Sequence, residues 1–183
     1  WQQNYSTSGQ YSISQIISTE DMGKDNVRIC IYFSGNSYNI NNWYFDDIEI
    51  FTQENLDLRI VSIDIAGMKS AGQTDITFTV QNIGKTNVES FEAKFNSGIA
   101  DATDVTETFT ASIAPMETKQ FTFSESVLYN PDAYNLPIEI VNVNNTTDDD
   151  ATNNSLNKDI FVAMGETQRI PMIEHFSSST CGP

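Results

Sequence analysis

Positive charge is scarce in this chain: Lys and Arg total 9 against 25 Asp and Glu, for a formal net charge of −16. So acidic a polypeptide repels phosphate backbones and anionic headgroups, which argues against nucleic acid or an anionic membrane surface as a partner. Histidine occurs once, at His175, and cysteine twice, at Cys30 and Cys181; these supply no Cys/His cluster for zinc. A Ser/His/Asp order and a Gly-rich phosphate loop are both missing, as is any helix of convincing length. No apolar run is long enough to cross a membrane, and no signal-peptide pattern is present. The two cysteines fall in different segments, so a bridge between them has little support. Cys30 lies in an apolar alternation and is expected to be a buried, inert thiol.

What the chain does have is Phe, Tyr, Ile and Val, with Asn, Ser, Thr and Asp between them. That is the composition of β-branched strands joined by polar turns. The clearest stretch is Asp75-Ile-Thr-Phe-Thr-Val-Gln-Asn-Ile-Gly84. Ile76, Phe78 and Val80 share one face and Thr77, Thr79 and Gln81 the other, the period of a half-buried strand. Asn82 to Gly84 ends it, with glycine expected to supply the positive φ of a tight turn. The same kind of pattern predicts strands at 58–66, 75–82, 90–95, 104–109, 119–123, 134–143 and 155–162. Seven strands over about a hundred residues match an immunoglobulin-like sandwich. The expected core is Ile60, Ile63, Phe78, Val80, Phe91, Phe95, Phe121, Phe123, Leu136, Ile138, Ile140 and Phe161. The apolar face shifts between Ile60 and Val61, which predicts a bulge or a change of sheet. Neither a bridging cysteine pair nor a strand-C tryptophan is present, so this is not an antibody-type domain.

Three motifs, in order, carry a family resemblance: Ile76-Thr-Phe-Thr-Val-Gln-Asn-Ile-Gly84, Ile113-Ala-Pro-Met-Glu-Thr-Lys-Gln-Phe121 and Asp148-Asp-Asp-Ala-Thr-Asn-Asn154. They resemble the CARDB group of bacterial adhesion-related Ig-like modules over nearly all of 56–163. The resemblance implies a spacer or binding module of a secreted or cell-surface protein, without an active site. The run Asp148, Asp149, Asp150 offers oxygen ligands for Ca²⁺ but lacks the Asp-x-Asp-x-Asp-Gly spacing. It reads first as a solvated hairpin connection, with Asn153 and Asn154 satisfying turn backbone.

Ahead of that module, 12–18 is a short strand candidate, Val27 to Phe33 alternates as a strand, and Trp43 to Phe51 makes another. Val27-Arg-Ile-Cys-Ile-Tyr-Phe33 and Trp43-Tyr-Phe-Asp-Asp-Ile-Glu-Ile50 resemble the end of concanavalin-like jelly-roll modules, including MAM-type and lectin-like domains. In some relatives the acidic pair holds a cation, which makes Asp46 and Asp47 candidate Ca²⁺ ligands. Adjacent strand residues point to opposite faces, so one Asp accepting backbone N–H groups is the plainer reading. Tyr38, Trp43 and Tyr44 could stack on sugars, although aromatics in a strand are more often core. Behind the module, Ile170-Pro-Met-Ile-Glu-His-Phe176 followed by Cys181-Gly-Pro183 resembles the first active-site strand and loop of thioredoxin-like domains. In that resemblance Cys181 would be the first cysteine of a Cys-Gly-Pro-Cys motif.

The expectation is therefore an all-β chain: a seven-stranded Ig-like β-sandwich at 55–164 plus the terminal strands of a jelly-roll module at 1–54. Residues 165–183 are expected to be a linker and a thioredoxin-like beginning, and the whole to be cut from a longer protein. The function expected is non-catalytic binding or spacing in a bacterial extracellular, cell-surface or periplasmic protein, with a glycan or surface protein as partner. The alternatives are a thiol–disulfide oxidoreductase acting through Cys181 and Ca²⁺-dependent carbohydrate binding by the first module.

Overall fold

Alternation from Ile76 to Val80 places those side chains fully inside a two-sheet sandwich, with Thr77, Thr79 and Gln81 on its outer face. The computed structural model describes residues 44–165 throughout, together with 9–11, 13, 15–17, 20, 24–32, 34–36, 38 and 42. The chain divides into two units, residues 1–52 and 53–183.

In the second unit the described residues form eight strands: β1 Leu58–Ile63, β2 Met68–Ser70, β3 Gly72–Asn82, β4 Val88–Phe95, β5 Val105–Ile113, β6 Thr118–Tyr129, β7 Ala133–Val143 and β8 Ser155–Ala163. One sheet has the order β1-β3-β6 and the other β2-β8-β7-β4-β5. The sandwich is all-β, as expected, with one strand more than the seven predicted. The extra strand, β2, is three residues long and pairs parallel with β8 (Met68 with Phe161, Ser70 with Ala163). All the other pairings are antiparallel. The bulge expected after Ile60 is present as a register shift between Ile60 and Ser62 against β3. A second shift lies between Asp75 and Thr77, and beyond it Gly72 to Asp75 pair with Ser126 to Tyr129. That pairing lengthens both β3 and β6 past their predicted ends.

Phe78 is the hub of the core. Its ring lies 5.2 Å from Phe123, 5.6 Å from Phe109, 6.2 Å from Phe121 and 6.3 Å from Phe91, so aromatics from both sheets meet on it. Eleven of the twelve expected core residues are buried or packed against the core. Phe161 is the exception, at 54% exposed. Ile160, Phe161 and Val162 are three apolar residues in a row, and it is the outer two that point inward. Leu58, Ile76, Val88, Ile113, Tyr129 and Val143 are also in the interior. Tyr129 donates its hydroxyl to the Ser97 carbonyl at 3.0 Å. Burial, with Tyr134 beside it, pushes the phenol up to about 12.

The side where β5 and β6 present their free edges is stitched by side chains. Glu107 accepts from the Ser124 amide at 2.7 Å and its hydroxyl at 2.9 Å, while Lys119 donates to the Ser112 carbonyl. Occupying exposed N–H and C=O groups in this way blunts an edge against pairing with another chain.

In the first unit the described residues of 27–32 and 44–51 are exposed and carry no strand assignment. The expected strands are absent there because alternation alone does not make a strand; a neighbouring ladder must take up the backbone bonds. Cys30 is a free, exposed thiol rather than the buried one expected, because no strand forms among the described residues around it to pack its side chain inward. Trp43, Phe33, His175 and Cys181 lie outside the described residues.

Candidate functional site

The three motifs of the Ig-like module are far apart in sequence and meet at one end of the sandwich, around the segment 53–58 that leads into β1. The first is the β3–β4 turn. Asn82 is buried, and its amide nitrogen donates to Ile113 O at 2.8 Å and to Thr86 O at 2.9 Å. Its amide oxygen accepts from Gly84 N at 3.0 Å. The turn then grips the leading segment: Ile83 N and Gly84 N both donate to Asp57 O, and Thr86 N donates to Asn55 O at 2.9 Å. Gly84 is needed here for its lack of a side chain rather than for a positive φ. A Cβ would sit 2.6 Å from Asp57 N and 3.0 Å from Asn55 O.

The second motif, Ile113 to Phe121, closes on the same asparagine. Met116 N donates to Asn82 O at 2.7 Å and Asn82 N to Glu117 O at 3.0 Å. Glu117 in turn accepts from Ala114 N at 2.7 Å, which fixes the turn with Met116 at φ +67°. That backbone bond, with Lys119 beside it, holds the Glu117 carboxyl below its ordinary range.

The acidic run is the third motif, and it is not the solvated connection that its charge suggests. Asp148 is 6% exposed; one carboxylate oxygen accepts from Leu58 N at 3.0 Å and the other from Asp150 N at 3.0 Å. Asp149 bonds Leu56 twice, through its carboxylate to Leu56 N and through its own N–H to Leu56 O, both at 2.9 Å. Asp150 caps the 3₁₀ turn Ala151–Asn153 by accepting from Thr152 N and Oγ1, which holds its carboxyl low. Asn153 donates to the buried Asp57 at 3.0 Å. Asn154, its amide nitrogen turned toward its acceptors, donates to Leu58 O at 3.0 Å and Asp148 Oδ2 at 3.2 Å. Sequence reasoning therefore placed the asparagines on turn backbone, which Asn154 partly serves, and missed Asp57.

Electrostatics at this clasp are set by burial. Burial pushes the Asp57 carboxyl up; the Asn153 bond and Arg59 oppose the rise, while Asp148 and Asp150 add to it. Asp148 is also raised by burial, against the pull of Leu58 N, Asp150 N and Asn154. A shallow cleft of about 390 Å³ opens beside the clasp, lined by Glu139, Thr147, Asp148, Asn154 and Ser155 among others. Glu139 is already paired with Lys94 at 3.0 Å. Among the described residues no three Asp, Glu, His or Cys side chains converge in a way that could hold a metal ion.

Among the described residues Asp46 and Asp47 meet each other and no further candidate ligand: both are exposed, and Asp47 N donates to Asp46 Oδ1 at 3.0 Å with Asp47 at φ +52°. Tyr38 and Tyr44 are 90% and 83% exposed.

No protein-family model matches the chain, and no curated protein matches it. Solved structures do. The CARDB domain of a Pyrococcus furiosus protein, crystallised in complex with di-metal ions, is 20% identical with a TM-score of 0.50; the match covers 66% of this chain and all of that one. A solution structure of the same domain is 20% identical over 62% of this chain and all of that one, with a TM-score of 0.47. A domain of a protein classed as a cell surface protein, from Methanosarcina acetivorans, is 18% identical over 63% of this chain and 99% of that one, with a TM-score of 0.49. At 20% identity, the likeness to the P. furiosus crystal structure is one of fold.

Proposed function

We propose that this chain is a non-catalytic spacer and recognition region of an extracellular or cell-envelope protein, in which residues 53–165 hold neighbouring segments apart. The observation that carries this reading is the path of the chain. Leu58, at the start of β1, lies against Asp148 and Asn154, immediately before β8 begins. Ala163, at the end of β8, pairs with Ser70 at the other end of the sandwich. The polypeptide thus enters at one end and leaves at the other, separated by a nine-residue strand of about 30 Å. Modules threaded this way join in series as a stalk.

Pulling tests this reading. With the chain tethered through its two ends, force reaches β1 through the clasp, and residues 53–165 are expected to give one cooperative rupture peak. Asp148→Ala should lower the rupture force, while Asp64→Ala on the outer face of the three-stranded sheet should lower it less. Gradual lengthening without a peak would rule out a mechanical spacer. Recognition, of a glycan or a surface protein, is assigned to residues 1–52, where Tyr38 and Tyr44 are free to stack on a sugar face. Calcium at Asp46 and Asp47, and thiol chemistry at Cys181, are the competing readings for the two flanks.

A further inference from the structure

We propose that Asn145 is the acceptor of an N-linked glycan. The sequence Asn-x-Ser/Thr, the acceptor pattern for N-glycosylation, occurs at Asn144, Asn145 and Asn153 in the β7–β8 connection, and at Asn4, outside the described residues. The structure separates the three in the connection by what their amides are doing. Asn144 donates its amide nitrogen to Asn87 O at 3.0 Å, and its oxygen accepts from Glu89 N and Ser90 N at 2.7 and 3.2 Å. These three bonds hold the Asn144 amide against Asn87 and the start of β4, so its nitrogen is turned toward the protein rather than presented to a transferase. Asn153 spends its nitrogen on Asp57 inside the clasp.

Asn145 is exposed and its side chain makes no hydrogen bond among the described residues. It is the second residue of a two-residue hairpin turn, Asn144 at φ +51° and Asn145 at φ +59°, closed by Val143 N to Thr146 O and Thr146 N to Val143 O, both 3.0 Å. Positive φ at both central positions is the type I′ geometry that asparagine tolerates. It carries the Asn145 side chain out at the tip of the turn, with Thr146 and Thr147 exposed behind it. The donor class is an oligosaccharide linked through phosphate to a polyprenol. Nδ2 of Asn145 attacks the anomeric carbon and a C–N bond forms. The C–O bond to phosphate breaks, the oxygen leaves with the lipid phosphate, and the amide proton passes to the transferase.

This inference rests on the extracellular reading, because the transferase and its donor act on exported chains. The full chain, given a secretory leader, is expressed in a host that performs N-glycosylation, and the secreted folded protein is mapped by peptide mass spectrometry before and after peptide-N-glycosidase. The expected result is a glycan at Asn145 that disappears in Asn145→Gln and in Thr147→Ala. It persists in Thr146→Ala, which destroys only the Asn144 pattern. Asn4 is scored on its own peptide. Secreted protein with Asn145 bare, or with sugar on Asn144 or Asn153, overturns the proposal. Localisation of the native protein is measured separately: a glycan at Asn145 on leader-directed chain, with the native protein found inside the cell, supports the acceptor site and refutes the compartment.

Discussion

Replacing Asn82 by alanine is the sharpest test of the clasp. The side chain is fully buried and makes three hydrogen bonds, to Ile113 O, Thr86 O and Gly84 N. They are not equally costly to lose. Gly84 N keeps Asp57 O as a second acceptor, and Thr86 is exposed enough for water to reach its carbonyl. Those two bonds are worth about 1 kcal/mol each as net contributions. Ile113 is fully buried, so its carbonyl loses a partner that water cannot replace, at about 1–3 kcal/mol. The expected loss is about 3–5 kcal/mol, or on the order of 15 °C in melting temperature for a domain of this size. Both tryptophans, Trp1 and Trp43, lie in the first unit, so unfolding of the sandwich is followed in urea by far-ultraviolet circular dichroism. Asn82→Asp sharpens the result. It keeps the acceptor for Gly84 N but turns a carboxylate oxygen toward two carbonyls. At neutral pH it should cost more than alanine. As pH falls and the acid takes up a proton it can donate again, so the deficit should shrink. A loss below about 1 kcal/mol for Asn82→Ala, or a pH-independent Asn82→Asp, would refute the view that this side chain locks the turn.

Phe78→Ala should cost about 3–5 kcal/mol, the range for excavating a core aromatic, and a smaller value in urea titration would mean that the five-phenylalanine cluster collapses around the gap. Asp57→Asn should stabilise the protein at neutral pH: the Asp57 carboxyl is raised, so its contribution is greatest at low pH and is lost as pH rises through its folded value. The advantage should fade on titration to about pH 4, near the ordinary carboxylate range, and a constant difference would show that charge is not the cause. Saturating calcium should leave the melting temperature unchanged, because among the described residues no third ligand joins Asp46 and Asp47 and the clasp oxygens already hold backbone and side-chain donors. A chelator-reversible rise would reveal a site through its preferential binding to the folded state.

How far the sequence could be read follows from what each residue contacts. Strand β3 is legible because one wet and one dry face leave a period of two, and the bulge in β1 because two apolar neighbours break that period. Strand β2 is not, since Met68-Lys-Ser70 is a strand only through its parallel pairing with β8. Phe161 sits in a continuous apolar run, where period cannot choose a face; the cross-strand register, Tyr134 opposite Ile160, chooses it. The acidic loop misleads for a different reason. Consecutive carboxylates read as solvated, but the donors that justify burying Asp148 include Leu58 N, 90 residues earlier in the chain. In the same way Gly84 looks like a turn glycine until the backbone of Asn55 to Asp57 is seen against it.

The same bonding bears on where a ligand could dock. On the outer face of the three-stranded sheet, polar side chains pair with one another: Thr77 with Thr122 at 2.9 Å, Arg59 with Gln81 at 2.9 Å, and Asp64 with Thr79 at 2.5 Å and Gln120 at 2.9 Å. Partial burial pushes the Asp64 carboxyl up, but its bonds from Ser62, Thr79 and Gln120 outweigh that and hold it below the ordinary range. A sugar or peptide docking there must first break bonds that already satisfy the face, and only the surplus would appear as affinity. Tyr38 and Tyr44 face no such competition, because stacking uses ring faces that are already exposed. The two units thus differ in what they expose: among the described residues, 1–52 present the open rings of Tyr38 and Tyr44, while on this outer face of 53–165 the polar side chains are already paired with one another.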